Sequence, residues 1–133
     1  KEENILIITW KDIEAYLSEV KDAVKKGRYR IARNSKRQDN IDLFLDYVID
    51  EAGAREILLS LESIDFSCIL QNEHKGFEQE RLYVFGKEVS LLERNGTEET
   101  VVPLYIKMNN LETGFVIVIS FHRQRHPLTY CFQ

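Results

Sequence analysis

Two stretches decide the fold: Leu104-Tyr105-Ile106-Lys107-Met108 and Phe115-Val116-Ile117-Val118-Ile119-Ser120-Phe121-His122. The second is apolar on both faces, the pattern of a strand with neighbours on either side in a sheet. Leu111-Glu112-Thr113-Gly114 between them is short enough to be a hairpin loop. With that loop, Asn110 stands opposite Phe115, Lys107 opposite Val118, Tyr105 opposite Ser120, and Pro103 opposite His122. Side chains alternate along a strand, so Tyr105, Lys107, Ser120 and His122 share one face. Leu104, Ile106 and Met108 take the other, with Ile117, Ile119 and Phe121.

Working outward, Arg81-Leu82-Tyr83-Val84-Phe85 reads as another strand, ended by Gly86. Val89 to Arg94 and Thr97 to Lys107 flank Asn95-Gly96, a strong short hairpin signal because both residues tolerate positive φ. These strands make an antiparallel meander of about four. Pro127 ends the regular pattern, and Leu128 to Phe132 are expected to pack back as a tail.

The first half of the chain is helical. Thr9 caps a helix from Trp10 to Lys26 whose Ile13, Leu17, Val20 and Val24 form one stripe, with Gly27 as the left-handed stop. Tyr29 and Ile31 alternate with Arg28 and Arg30 as a short half-exposed strand. A second helix is expected from Ile41 to Glu51, capped by Asp39 or Asn40, with Ile41, Phe44, Leu45, Val48 and Ile49 buried. Its outward row of Asp42, Asp46 and Asp50 is read as a solvated face rather than a metal site. After Gly53 the pattern restarts over Ala54 to Leu61. Ser63 to Gln71 fits a helical turn or a strand. The expectation is an α+β fold: N-terminal helices packed on one face of a C-terminal antiparallel sheet of about four strands.

At 133 residues, 44% hydrophobic and 30% charged, the chain is one domain over residues 1–133 with a single core, neither disordered nor fibrous. No apolar run approaches the roughly 18 residues of a membrane span, so no membrane partner is expected. Ile5-Leu6-Ile7-Ile8, preceded by Glu2 and Glu3, is too short for a secretion signal. Cys68 and Cys131 lie far apart without C-x-x-C spacing. They are expected to be free thiols in a reducing, cytoplasmic compartment, a single bridge being the alternative. The two cysteines lack zinc-ligand spacing, and neither a metal site nor another cofactor is expected.

The net charge of −4 is an average. Residues 25–37 hold seven cations and no anion, and residues 38–66 sum to −7. The strip is either a loop neutralised by the acids that follow, or a grip for phosphates. Tyr105, Lys107 and His122 suit metal-free RNA cleavage, which needs a base for the 2′-hydroxyl, an acid for the leaving oxygen and cations for the phosphorane. Arg123 and Arg125 are further cations within reach. His74 reads as a loop residue, and His126 has no spacing argument of its own.

Four pieces in order, Leu17-Ser18-Glu19-Val20-Lys21 running to Gly27-Arg28-Tyr29-Arg30, Ser63-Ile64-Asp65-Phe66, Leu104-Tyr105-Ile106-Lys107 and Val118-Ile119-Ser120-Phe121-His122, carry a likeness. The chain resembles the MqsR-type mRNA interferase toxins of type II toxin–antitoxin systems, in the RelE-like fold group, over about residues 16–122. The resemblance implies a cytosolic, metal-independent endoribonuclease that cuts single-stranded mRNA and is blocked by a cognate antitoxin protein. Tyr105 falls on a tyrosine implicated in activity in such toxins. His122 stands where the best-known members have a lysine, Cys68 where a further functional lysine is expected, and Glu80 near an expected glutamine. On this reading His122 is general acid or base and Tyr105 its partner. Lys107, Arg123 and Arg81 contact phosphate, and Arg28 and Arg30 hold the RNA backbone. Tyr83 stacks on a base or else packs in the core. The alternative from another class is a non-catalytic RNA- or protein-binding module using the same fold.

Overall fold

The computed structural model describes residues 7–110 and 112–133. Ile5 and Leu6 of the N-terminal apolar stretch, and Leu111 of the expected hairpin loop, lie outside the described residues.

Helix α1 spans Trp10–Lys25 and opens with a reciprocal cap. The Thr9 hydroxyl accepts from the Asp12 amide, and the Asp12 carboxylate accepts from the Thr9 amide, which holds that carboxyl below its usual pKa. Its stripe of Ile13, Tyr16, Leu17, Val20 and Val24 is buried, and Gly27 leaves the helix at φ 74°. The chain then runs through β1 (Tyr29–Ile31), α2 (Gln38–Asp46), α3 (Glu51–Leu59), a single 3-10 turn (Ser63–Asp65), β2 (Phe66–Gln71), β3 (Arg81–Leu92), β4 (Glu99–Met108) and β5 (Val116–Arg123).

The fold is α+β with its helices in the N-terminal half, but the sheet differs from the expected antiparallel one of about four strands. It has five strands in the order β1-β5-β4-β3-β2, and it is mixed. The expected strands at Arg81–Phe85 and Val89–Arg94 are one strand, β3, and two further strands join the sheet: β2, and the short Tyr29–Ile31 segment, which lies parallel to Val116–Val118. The turn at Gly27 sends it back beside β5, and α1 serves as no crossover between paired strands. The Ser63 to Gln71 segment divides into the 3-10 turn and β2, which pairs antiparallel with β3.

Local expectations shift for identifiable reasons. Gly86 does not end a strand: β3 runs through it, because the missing side chain makes room for the C-terminal tail. A Cβ there would lie 2.4 Å from the Tyr130 hydroxyl and 2.7 Å from Leu128 Cδ1. The last β3–β4 pair is Leu92 with Glu99, and neither Asn95 nor Gly96 has positive φ, so the loop over 93–98 is not a two-residue turn. Helix α2 starts and stops early. Asp39 and Asn40 sit in its first turn, and Tyr47 turns extended to bridge Glu93 at the end of β3. This leaves Leu45 and Val48 exposed instead of buried. Asp50 caps α3 through the Gly53 amide rather than joining a helical acid row.

One face of the sheet carries the core. Tyr16 stacks on Tyr83 at 3.7 Å between ring centroids, and Phe44 of α2 stacks on Phe121 at 6.0 Å. The tail crosses the opposite face. Gln124 donates from its amide to Pro103 O and from its side chain to Leu104 O, Ser67 Oγ donates to Thr129 O, and the Cys131 amide donates to Phe66 O. Phe132 closes against Trp10 at 5.3 Å. Gly86→Ala is expected to lift this tail at a cost of about 1–3 kcal/mol. Urea unfolding would read the loss, and faster hydrogen exchange at the Cys131 amide would locate it. Cys68 and Cys131 are exposed and unbridged. Among the described residues no helix is long and apolar enough to cross a membrane.

Candidate active site on the outer sheet face

The β4–β5 ladder pairs Leu104 with Arg123, Tyr105 with His122, Ile106 with Phe121 and Lys107 with Ser120. This register is displaced by two residues from the expected one, and an even displacement keeps every side chain on its face. Tyr105, Lys107, Ser120 and His122 therefore share a face. Beyond Lys107 the ladder shifts, with Met108 pairing Val118. The extra residue, Ile119, forms a bulge that reverses the alternation upstream of it. So Val116 and Val118 lie in the core, not Ile117 and Ile119 as expected.

Tyr105 and His122 are direct cross-strand neighbours with their rings stacked, centroids 5.3 Å apart and planes 13° from parallel. His122 Nδ1 lies 2.8 Å from Arg123 O. A carbonyl only accepts, so Nδ1 carries the proton and Nε2 of the neutral ring has a free lone pair. Burial, and secondarily the Cys68 thiol, raise the Tyr105 phenol above its ordinary pKa and keep it a proton donor. Lys107 lies between Val84 and Ser120 in the ladder. Burial, then the nearby Arg37 guanidinium, lower its pKa. The face thus offers an acceptor nitrogen, a hydroxyl donor and a partly desolvated cation side by side.

The basic strip divides between structure and surface. Lys26 pairs with Asp22 at 3.0 Å. Arg33 pairs with Glu51 at 3.0 Å while lying 3.9 Å over the Phe44 ring. Arg28 donates to Thr113 O and ties the end of α1 to the β4–β5 turn. Arg30, opposite Ile117 in the parallel pair, is on the outer face, its guanidinium 5.9 Å from the Phe115 ring centroid. Among the described residues Arg30, Lys36, Arg37 and Lys107 have no carboxylate partner. The acids after the strip therefore neutralise only part of it.

The structure brings together His122, Tyr105 and Lys107, places Arg30 on the same outer face about four ladder steps away, and sets Arg28, Arg81, Tyr83 and Arg123 apart from them. Tyr83 alternates onto the helix face, where it stacks on Tyr16, and Arg81 lies 5.6 Å from the Tyr83 ring on that side. Arg123 pairs with Leu104, so alternation turns it to the other face of β5 from His122, and it lines an edge cleft with Asp42 and Asp46 that His122 also borders. Glu80 accepts from the Asn72 side chain at 2.9 Å. Sequence reasoning overlooked Arg37 and Asn40. Nothing in a run of seven cations says which one lands on the sheet. The signal for Asn40 was its polar side chain inside an amphipathic helix, where it is 1% exposed. Among the described residues no group of three or more His, Cys, Asp or Glu side chains converges. Compared with protein-family models, with curated proteins and with solved structures, the chain matches none.

Proposed function

We propose that this chain is a metal-independent endoribonuclease that cuts single-stranded mRNA, acting in the cytoplasm as the RelE-like toxin of a type II toxin–antitoxin pair. The observation that supports this most is the stacked Tyr105–His122 pair beside Lys107 on a face that the helices leave open. In this reading His122 Nε2 takes the proton of a 2′-hydroxyl, and that oxygen attacks the adjacent phosphorus. The bond to the 5′-oxygen breaks, and the Tyr105 hydroxyl supplies the proton that the leaving oxygen needs. Lys107 offsets the charge gathering on the phosphorane oxygens, and Arg30, further along the face, holds a neighbouring backbone phosphate. The products are a 2′,3′-cyclic phosphate and a free 5′-hydroxyl. A cognate antitoxin would silence the site.

The test is incubation of the purified protein with an unstructured RNA and excess chelator. Cleavage leaving 2′,3′-cyclic phosphate ends is the expected result. Retention of intact RNA without cleavage would replace the nuclease reading by a non-catalytic RNA-binding one.

A further inference from the structure

The N-terminus of α2 opens onto the same face, in a cleft of about 220 Å³ lined by Lys36, Arg37, Ser120 and His122 among others. Arg37 occupies the cap position, and its side chain makes no capping hydrogen bond. Among the described residues the amides of Gln38 and Asp39 have no acceptor. Such amides, with the positive end of the helix dipole behind them, suit an anion.

A second observation points the same way. Ser120 is 5% exposed, lines this cleft, and its hydroxyl has no hydrogen-bond partner among the described residues. Its place is fixed by Asn40. The Asn40 side chain donates to Ile119 O at 2.9 Å and accepts from the Phe121 amide at 2.8 Å, gripping β5 on either side of Ser120. Ser120 is also the ladder partner of Lys107. Asp39 is the one carboxylate among the lining residues, and Arg125 is paired with it. The cleft therefore gathers a hydroxyl, two helix amides and unpaired cations, with its only anion already satisfied.

We propose that the first turn of α2, Arg37 and Ser120 form a phosphate site that seats a backbone phosphodiester of single-stranded RNA beside the Tyr105–His122 pair. The proposal rests on the ribonuclease reading for the source of the phosphate, and its chemistry can be tested apart from cleavage.

The probes are inorganic phosphate and a four-nucleotide deoxyribose strand, which lacks the attacking hydroxyl. Titration followed by amide NMR should shift Gln38, Asp39 and Ser120 saturably with both, and more strongly with the strand. Arg37→Gln should weaken both at least tenfold, and Ser120→Ala several-fold. Lys75→Gln, an equal charge loss in the 72–80 loop, should change affinity less than twofold. Unshifted Gln38 and Asp39 amides, or an Arg37→Gln loss no larger than that of Lys75→Gln, would overturn the site. Binding without cleavage of RNA by the wild type would leave the site standing and remove the nuclease. Cleavage without these shifts would do the reverse.

Discussion

His122→Ala is expected to reduce single-turnover cleavage of an unstructured RNA by about 10²- to 10⁴-fold, the usual reach of general acid–base catalysis. The geometry says why the loss falls on chemistry and not on folding. His122 is only half-buried, its side chain's one hydrogen bond among the described residues is to the neighbouring Arg123 carbonyl, and its ring stacks on a half-buried Tyr105. Thermal stability should change by no more than about 0.5 kcal/mol, as at other surface positions. Adding imidazole to the variant should restore part of the rate, because the missing group is a proton acceptor in an open cleft. Tyr105→Phe keeps the stacked ring and removes only the hydroxyl, so its loss reports the proton donated to the leaving oxygen. If both variants cleave at the wild-type rate, the outer face is not the site of catalysis.

Asn40→Ala carries the largest expected effect on stability, about 3 kcal/mol, read by urea unfolding. The Asn40 side chain is buried and makes three hydrogen bonds, to Ala32 O at 2.7 Å, to Ile119 O and from the Phe121 amide. Two of these are backbone groups of β5 beyond the reach of β1, and the third is the carbonyl of Ala32, just past the end of β1. Removing the amide strands three buried polar groups at roughly 1–3 kcal/mol each, less what water entering the gap recovers. Asn40→Asp separates donor from acceptor. Its carboxylate still accepts from Phe121, but it faces two carbonyls with nothing to donate. A proton on that carboxyl restores a donor, so its folded-state pKa lies above the unfolded one. The variant should therefore be least stable at neutral pH and recover as pH falls through the folded pKa. A flat stability profile would mean that the two carbonyl bonds contribute little.

The parts of the fold legible in sequence are those written in local pattern. The capping box at Thr9, the stripe of α1 and the apolar run of β5 each carry their own signal within one element. The face shared by Tyr105, Lys107, Ser120 and His122 was legible too, because parity survives a register error of two. What sequence did not show depends on partners far along the chain. Tyr29–Ile31 is too short to announce that it joins β5, since its place comes from the turn at Gly27 and from Val116–Val118. The end of α2 is set by the pairing of Tyr47 with Glu93, 46 residues further on, against an unbroken helical pattern. Gly86 read as a terminator because its true reason, the tail lying over it, comes some 40 residues later. In the candidate site, Arg81 and Tyr83 were grouped with His122 by chemistry alone, although alternation along β3 turns them to the helices.

The bulge at Ile119 also acts as a ruler. Arg30 pairs with Ile117, and His122 pairs with Tyr105 five residues further along β5 than Ile117. Measured along β4, the bulge shortens that interval to four steps, or about 13 Å at about 3.3 Å per residue instead of about 17 Å. The bulge thus absorbs one residue of β5 without lengthening the span between the outermost cation and the imidazole, or the length of strand that can touch both. Deleting Ile119 would leave every other side chain of β5 on its present face and keep the interval at four steps, with the bulge gone.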